Sequence, residues 1–315
     1  MKSNITILVL AILYASCLTF LFPIDDTIID RANYLAYAEN SLLLIGNYLN
    51  QGLLSLFFNE PIWLLINIFL SLLTSPETTL QIIIFFSSFT VSYLVLKNSP
   101  KYFWILLIIL IFPNVIKNFI IHIRQGLAVA FFLIGWFSLS KPKRYLFILM
   151  SPFIHSSFFI IITIFFLTSI LQKMRFAFDL RLIIYILLGL TVSFGLGFIA
   201  SFLGMRQANE YEFTAASSSG LGFLFWFIIL SLYVTSGKAF LQKHSFVIGM
   251  IVFYLITYFF IEVTARIFES AIILVLLASL ELKLKQIYIV FSMIIFYTIL
   301  SYILRVNQSF LGFGV

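Results

Sequence analysis

Charged residues and cysteine are scarce in this chain, and each scarcity excludes a class of protein. Only 10% of the 315 residues are charged and 62% are hydrophobic, whereas about a quarter of a soluble domain is charged. The single cysteine, Cys17, excludes an internal disulfide and a cysteine-based metal site. No polar stretch is long enough to form a soluble domain. We therefore predict an all-α, polytopic integral membrane protein with a single transmembrane domain over residues 1–315.

Motifs for nucleotides and metals are also missing from the sequence. There is no glycine-rich phosphate loop and no dinucleotide fingerprint, and no His-x-x-x-His or Asp-x-Asp pair occurs. We expect no metal, no cofactor and no ATP hydrolysis. The net charge is +7, but the basic residues do not form a contiguous cluster. The charge therefore indicates the positive-inside bias of a membrane protein, and we expect no nucleic-acid partner.

Long apolar runs fill the chain, and many have the length of about 20 residues that crossing a bilayer requires. They lie at 5–22, 42–58, 61–75, 79–96, 102–114, 125–140, 145–171, 182–203, 221–236, 246–262, 265–281 and 286–304. Two segments do not fit the even number of membrane crossings that the predicted topology requires, namely residues 42–75 and 145–171. Polar or proline residues interrupt both segments, at Asn59-Glu60-Pro61 and at Pro152. Broken helices in membranes tend to line binding sites. We predict re-entrant helices there, and about 10–13 transmembrane or re-entrant helices in all.

The two faces of the predicted bundle differ in their basic residues. Lysine dominates Lys2 and the short loops near 97–101, 141–144, 173–181, 238–243 and 283–285, which predicts that these loops and the N-terminus are cytoplasmic. The remaining basic residues are mostly arginine: Arg31, Lys117, Arg124, Arg206, Arg266 and Arg305. Arginine is preferred where a planar fork binds phosphate or carboxylate. An outer anionic ligand is one interpretation, and pairing with outer carboxylates, as of Arg266 with Glu262 or Glu269, is the other.

Three kinds of polar residue have the chemistry for a site. Arg124 lies between two apolar segments, where a charge needs a partner or a function. His155 follows Pro152 at a predicted break, where it suits either a general base or a helix–helix hydrogen bond. Tyrosines of the predicted outer loops suit either an interfacial belt or stacking on sugars; they are Tyr34, Tyr37, Tyr48 and Tyr211. Together these residues suit a lipid-linked phosphate substrate, bound with membrane lipids around it.

Several motifs together resemble the EpsG family, the Wzy-like polymerases of bacterial exopolysaccharide and O-antigen. The residues that carry the resemblance are Asp30-Arg31-Ala32-Asn33-Tyr34-Leu35-Ala36-Tyr37, Glu60-Pro61-Ile62-Trp63-Leu64-Leu65, Arg124-Gln125-Gly126-Leu127-Ala128, His155-Ser156-Ser157 and Arg266. They extend from about residue 25 to residue 280. The outer loops are short for such a protein, which limits the sugar-binding lid that this chain can build.

The resemblance implies a glycosyltransferase of GT-C-like fold in the bacterial inner membrane. Such an enzyme transfers a glycan from undecaprenyl diphosphate onto an incoming lipid-linked repeat unit at the outer face, with a chain-length regulator as a candidate partner. His155 and Glu60 are then the catalytic candidates. The candidates for binding the diphosphate are Arg124, Arg266 and Arg206. Candidates for binding sugar are Asp30, Tyr34, Tyr37, Gln125 and Tyr211.

Two other functions fit some of the same residues. A transporter or flippase of lipid-linked oligosaccharide would also use broken helices, arginines and tyrosines, although no internal repeat is evident between the halves of the chain. A membrane acyltransferase would also use a histidine base, but its acyl donor arrives from the cytoplasm, whereas His155 is predicted in the outer half.

Overall fold

The structure, a computed structural model, describes residues 4–203, 220–261 and 263–314. These residues are helical, with no β-strand among them apart from one isolated bridge between Ile28 and Gly314. The all-α prediction is therefore confirmed. The chain forms two compact units, which are residues 1–156 with 294–315 and residues 157–293. The assignment of one transmembrane domain to the whole chain stays a prediction.

The described residues of the first unit form nine α-helices and the end of a tenth. They are α1 (Asn4–Phe20), α2 (Arg31–Asn50), α3 (Leu53–Phe58), α4 (Pro61–Ser71), α5 (Pro76–Asn98), α6 (Phe103–Ile111), α7 (Pro113–Ile120), α8 (Ile123–Phe137) and α9 (Lys141–Met150). Helix α5 packs against α1 and α8, and α2 packs against α4. This packing brings the starts of α2, α4 and α8 into one region.

The described residues of the second unit form seven α-helices and the start of the last one. They are α10 (Phe158–Lys173), α11 (Phe178–Phe202), α12 (Leu221–Val234), α13 (Lys238–Lys243), α14 (Ser245–Thr257), α15 (Thr264–Glu269) and α16 (Ile272–Ser279). The final helix, α17 (Leu284–Arg305), begins in the second unit and ends in the first.

Three described helices are long and apolar enough to cross a membrane: α5, the Phe178–Gly195 part of α11, and α17. The pair α6 and α7 gives a fourth span if its 59° bend is counted within one crossing. Pro113 explains the bend, because proline lacks an N–H and forces the residue before it, Phe112, into an extended conformation. Many large apolar side chains on these helices are exposed, as on the lipid-facing surface of a membrane protein.

Both predicted breaks are present. Helix α3 ends at Phe58 and α4 begins at Pro61, so Asn59 and Glu60 separate them. The chain leaves α9 at Met150, makes a 3-10 turn over Ser151–Phe153 and begins α10 at Phe158, so His155 lies outside regular helix as predicted.

The structure differs from the sequence interpretation at three places. The segment that carries Tyr34, Tyr37 and Tyr48 is not an outer loop, because α2 includes all three. The run 265–281 is not one helix, since α15 and α16 are separate. Helix α14 ends at Thr257, before the end of the apolar run, and the carbonyl of Thr257 accepts a hydrogen bond from Thr264 Oγ1 at 3.1 Å. A side-chain donor that satisfies a terminal carbonyl favours helix ends over continuation.

Candidate functional site

Glu60 is the centre of the candidate site, and the break before α4 determines its position. Its backbone is left-handed (φ 60°, ψ 53°), which is uncommon for a residue with a side chain. Pro61 occupies the first position of α4, where a missing N–H leaves no helical bond unmade. Strained backbone of this kind persists where the surroundings hold it, and it concentrates at functional sites.

The Glu60 carboxylate joins three parts of the first unit. Its Oε2 accepts a hydrogen bond from Arg124 Nη1, in the first turn of α8. Its Oε1 lies 2.9 Å from His155 Nδ1 and accepts the Ser156 N–H at 3.1 Å. Glu60 and His155 are buried, and Arg124 is largely so. Hydrogen bonds between charged partners are short and strong in such surroundings, so this contact fixes α4, α8 and the break before α10 together.

The hydrogen bond to Glu60 determines which tautomer of His155 is favoured. A carboxylate that receives donors from Arg124 and Ser156 is ionised and accepts only. It therefore favours a proton on His155 Nδ1, which leaves the lone pair of the ring on Nε2. This arrangement is chemically suited to take a proton at Nε2 while the carboxylate stabilises the resulting imidazolium.

Two tyrosines of α2 cover the other side of Arg124. Its Cζ lies 5.6 Å from the ring centroid of Tyr34 and 5.3 Å from that of Tyr37. Both rings in turn meet the fully buried Trp63 edge to face, at 5.9 and 6.3 Å between centroids. A guanidinium over aromatic faces gains cation–π attraction. Tyr34 and Tyr37 are therefore part of the core around Arg124, and their role in sugar binding stays a prediction.

Asp30 and Gln125 lie at the same end of these helices. Asp30 is the residue before α2, also with a left-handed backbone, and its partly exposed carboxylate is 3.9 Å from Nδ1 of His122. His122 precedes α8 directly. Gln125 is buried in the first turn of α8. Asp30 is the more accessible of the two, which suits its predicted contact with sugar.

The remaining predicted residues belong to the second unit or lie outside the described residues. Arg266 is exposed on α15 and belongs to the second unit. Glu269 of the same helix is buried. Arg206, Tyr211 and Glu262 lie outside the described residues. Their assigned roles stay predictions.

Arg31 and Trp63 were not among the predicted site residues, although Arg31 was counted with the outer arginines. Arg31 is only 1% exposed at the start of α2, and no described residue accepts a hydrogen bond from its Nε, Nη1 or Nη2. Burial lowers the pKa of its guanidinium to about 10. Both residues belong to motifs that the sequence analysis names. The spacing of Arg31, Tyr34 and Tyr37 indicates that Arg31 lies beside the two tyrosines, because residues three apart share a helix face.

The described residues contain no cluster of three or more His, Cys, Asp or Glu side chains that could hold a metal ion. Comparisons with protein-family models, with curated proteins and with solved structures find no match to this chain. The chemistry of the Glu60, Arg124 and His155 cluster is therefore the basis for a functional hypothesis.

Proposed function

We propose that this chain is a repeat-unit polymerase of bacterial polysaccharide, a glycosyltransferase that acts on undecaprenyl-diphosphate-linked glycans at the outer face of the inner membrane. One observation carries the proposal. Three of the motifs that resemble EpsG proteins, those at Glu60, Arg124 and His155, are far apart in the sequence, yet their side chains meet in one buried cluster. A carboxylate, a histidine and an arginine in a membrane setting suit the transfer of sugar from a diphosphate.

In the proposed reaction, His155 is the general base. Its Nε2 removes the proton from a hydroxyl of the incoming repeat unit, and that oxygen forms a bond to the anomeric carbon of the growing glycan. The bond from the anomeric carbon to the diphosphate breaks, and undecaprenyl diphosphate leaves with the electron pair. Glu60 stabilises the imidazolium, because its carboxylate holds Nδ1–H.

The arginines have different tasks in this scheme. Arg124 is already neutralised by Glu60, so its first effect is to hold the carboxylate in position. Contact of Arg124, Arg266 or Arg206 with the leaving diphosphate is proposed by resemblance. The sugar candidates remain Asp30, Tyr34, Tyr37, Gln125 and Tyr211. Preorganised donors around developing negative charge lower such barriers by about 3 kcal/mol for one well-placed group.

The proposal extends to the setting of the enzyme. It comprises about 10–13 transmembrane or re-entrant helices, a GT-C-like architecture, a cytoplasmic N-terminus, and a chain-length regulator as partner. The described spans α5, α11 and α17 support a multi-pass membrane protein.

The test uses the full chain in lipid nanodiscs with a lipid-diphosphate repeat unit. We expect a ladder of longer glycans without ATP or added metal. His155→Gln should abolish the ladder, because the glutamine amide cannot serve as the base. His244→Gln is the matched control, since His244 belongs to the second unit, pairs with Glu281 and should leave the ladder intact.

Two results would overturn the proposal. A normal ladder from His155→Gln would remove the histidine from the chemistry. Absence of any ladder from the unaltered chain, with the labelled lipid crossing the bilayer of liposomes instead, would favour a flippase of lipid-linked oligosaccharide.

A further inference from the structure

Arg31 differs from the other buried arginines in having no hydrogen-bond acceptor among the described residues. All three of its guanidinium nitrogens are shielded from solvent. A buried charge without a partner lowers the stability of a folded protein, so such a residue is retained for another reason. An anionic ligand would supply the missing acceptors.

Two other arginines with little solvent exposure do have hydrogen-bond acceptors. Arg124 has the Glu60 carboxylate as its counter-charge. Arg181 is 3% exposed at the start of α11, and it donates to the Phe176 carbonyl at 3.1 Å and to Ser245 Oγ at 3.2 Å. Burial alone therefore does not leave an arginine without acceptors in this protein.

The position of Arg31 connects it to the candidate site. The buried face of α2 carries Arg31, Tyr34 and Tyr37 at successive turns. One turn of helix advances by about 5 Å, and Tyr34 is the residue whose ring faces Arg124. Arg31 thus lies one turn before the aromatic side chains that enclose the Glu60 and Arg124 pair, on the same face of the helix.

Asp25 acts on Arg31 through its charge and not through a hydrogen bond. Asp25 is exposed, its charge acts on Arg31, and its Oδ1 accepts the N–H of Thr27 at 3.1 Å together with the Thr27 hydroxyl. The guanidinium fork of Arg31 therefore stays available for a planar or tetrahedral oxyanion.

We propose that Arg31 is a binding residue for a phosphate-ester anion, and that the anion is the diphosphate of a lipid-linked substrate. The nature of this anion rests on the proposed function, whereas the need for an anion rests on the burial and lack of acceptors of Arg31. Since the guanidinium is covered in this structure, entry of the ligand requires a shift of the neighbouring chain, and the loop at 21–30 leads directly to it.

Binding of undecaprenyl diphosphate to the nanodisc-embedded full chain is the first measurement, with undecaprenol as the uncharged control and inorganic pyrophosphate as the lipid-free anion. We expect Arg31→Met to weaken binding of the lipid diphosphate about tenfold or more, because a charge-assisted hydrogen bond is lost. Arg181→Met should leave binding unchanged. Equal affinity of the Arg31→Met variant and the unaltered chain would overturn the proposal. Tight, Arg31-dependent binding of pyrophosphate with none for the lipid would overturn the lipid assignment.

Stability without ligand separates a binding role from a structural one. Arg31→Met removes an uncompensated buried charge and should raise the midpoint of thermal unfolding, whereas Arg181→Met breaks existing hydrogen bonds and should lower it. A midpoint that falls for Arg31→Met as it does for Arg181→Met would assign Arg31 a structural partner and overturn the inference.

Glycan synthesis distinguishes failure of this inference from failure of the proposed function. If the unaltered chain makes no ladder but binds lipid diphosphate through Arg31, the inference stands and the polymerase proposal fails. If Arg31→Met makes the ladder at the unaltered rate and half-saturating substrate concentration, the inference fails and the polymerase proposal stands.

Discussion

Nδ1 of His155 lies 2.9 Å from Oε1 of Glu60, and the two residues belong to separate interruptions of helix, one before α4 and one before α10. Each interruption frees a polar side chain from the regular packing of an apolar bundle. The contact between them gives the histidine a defined orientation and joins it to the charge of Arg124.

The Glu60 and Arg124 pair should show strong energetic coupling. Glu60→Gln keeps the shape of the side chain but leaves the buried Arg124 uncompensated, so we expect a loss of about 3–5 kcal/mol in the free energy of unfolding. The double change Glu60→Gln/Arg124→Met removes both charges and should recover part of that loss. Denaturant unfolding of the unaltered chain, of Glu60→Gln, of Arg124→Met and of the double variant measures the coupling. Simple additivity within about 0.5 kcal/mol would show that the pair contributes nothing.

Arg124→Lys should slow glycan extension even though lysine keeps the positive charge. Lysine keeps a positive charge for Glu60 but lacks the planar surface that faces Tyr34 and Tyr37. We expect the rate of glycan extension to fall about tenfold or more, with the protein still present in the membrane, because the lost aromatic contact is worth roughly 1–2 kcal/mol in a dry site.

Arg144→Lys is the matched control for this change. Its guanidinium donates to the carbonyl of Ser138 at 2.9 Å and makes none of the contacts at Glu60. A similar rate loss in both lysine variants would show that the assay responds to general damage and not to the geometry of Arg124.

Gly126→Ala should disturb the position of Arg124. A Cβ at residue 126 would lie 2.2 Å from the carbonyl oxygen of Asn118, in the backbone of α7, so α7 and α8 would have to separate. We expect a loss of about 1–3 kcal/mol in stability from such overpacking, together with lower activity. Thermal unfolding and glycan extension measure the two effects.

Gly46→Ala provides the contrast, since a Cβ there meets nothing within 4 Å. Alanine is favoured over glycine within a helix by about 0.5–1 kcal/mol, so this variant should be as stable as the unaltered chain or more so. Equal destabilisation by both alanines would contradict the close approach of α7 and α8.

The stability of the second unit should depend on pH through His244. The side chain of His244 is only 12% exposed, packs on Phe240 and lies 3.0 Å from Glu281. Burial lowers the pKa of His244 below its usual value near 6.5, and the Glu281 carboxylate only partly opposes this. The unfolded chain then binds the proton more readily, so the contribution of His244 to stability is complete above about pH 6.5 and is lost as pH falls below it.

The measurement compares thermal unfolding of the unaltered chain with that of His244→Asn between about pH 7.5 and pH 5.5. The unaltered chain should lose more stability over this range than the variant. Glu281 has a pKa below its usual range, because hydrogen bonds from Lys243 and His244 outweigh its burial, so it stays charged throughout. Identical pH profiles would exclude a buried neutral His244.

Asp25→Asn should strengthen anion binding at Arg31. Hydrogen bonds from Thr27 lower the pKa of Asp25, so this exposed carboxylate is ionised at neutral pH and competes electrostatically for the guanidinium. We expect the affinity for undecaprenyl diphosphate to rise about two- to threefold at low salt and to converge with that of the unaltered chain as salt screens the charge. Titration at two ionic strengths measures this, and weaker binding at low salt would contradict it.

Sequence reasoning located the helix interruptions because bilayer thickness limits what an apolar run can do. The number of membrane crossings that the topology requires does not fit the length of residues 42–75 or of residues 145–171. The polar residues Glu60 and His155 lie where these two segments are interrupted. That these residues belong together was also predicted. Their direct contacts with each other and with Arg124 were not, since side chains separated by many helices meet only through the packing of the whole unit.

Helix α2 shows why local composition misled. Because its first half contains polar residues such as Asp30, Asn33 and Glu39, that half was predicted to be a loop with surface tyrosines. The buried face at Arg31, Tyr34, Tyr37, Ala38 and Ser41 has helical spacing, but it mixes a charge, aromatics and small residues. Hydropathy does not register such a face, because tertiary contacts with Trp63 and not apolar content stabilise it.

The bridge between Ile28 and Gly314 has a consequence for how the protein is made. The loop that leads to Arg31 precedes α2 to α17 in the sequence, and Gly314 follows them. Ile29 donates its N–H to the carbonyl of Phe313 at 3.1 Å, and Phe22 packs its ring on that of Phe313. The surroundings of Arg31 are thus completed only after α2 to α17 have been synthesised, so a translation product that stops short of Gly314 would lack this part of the site.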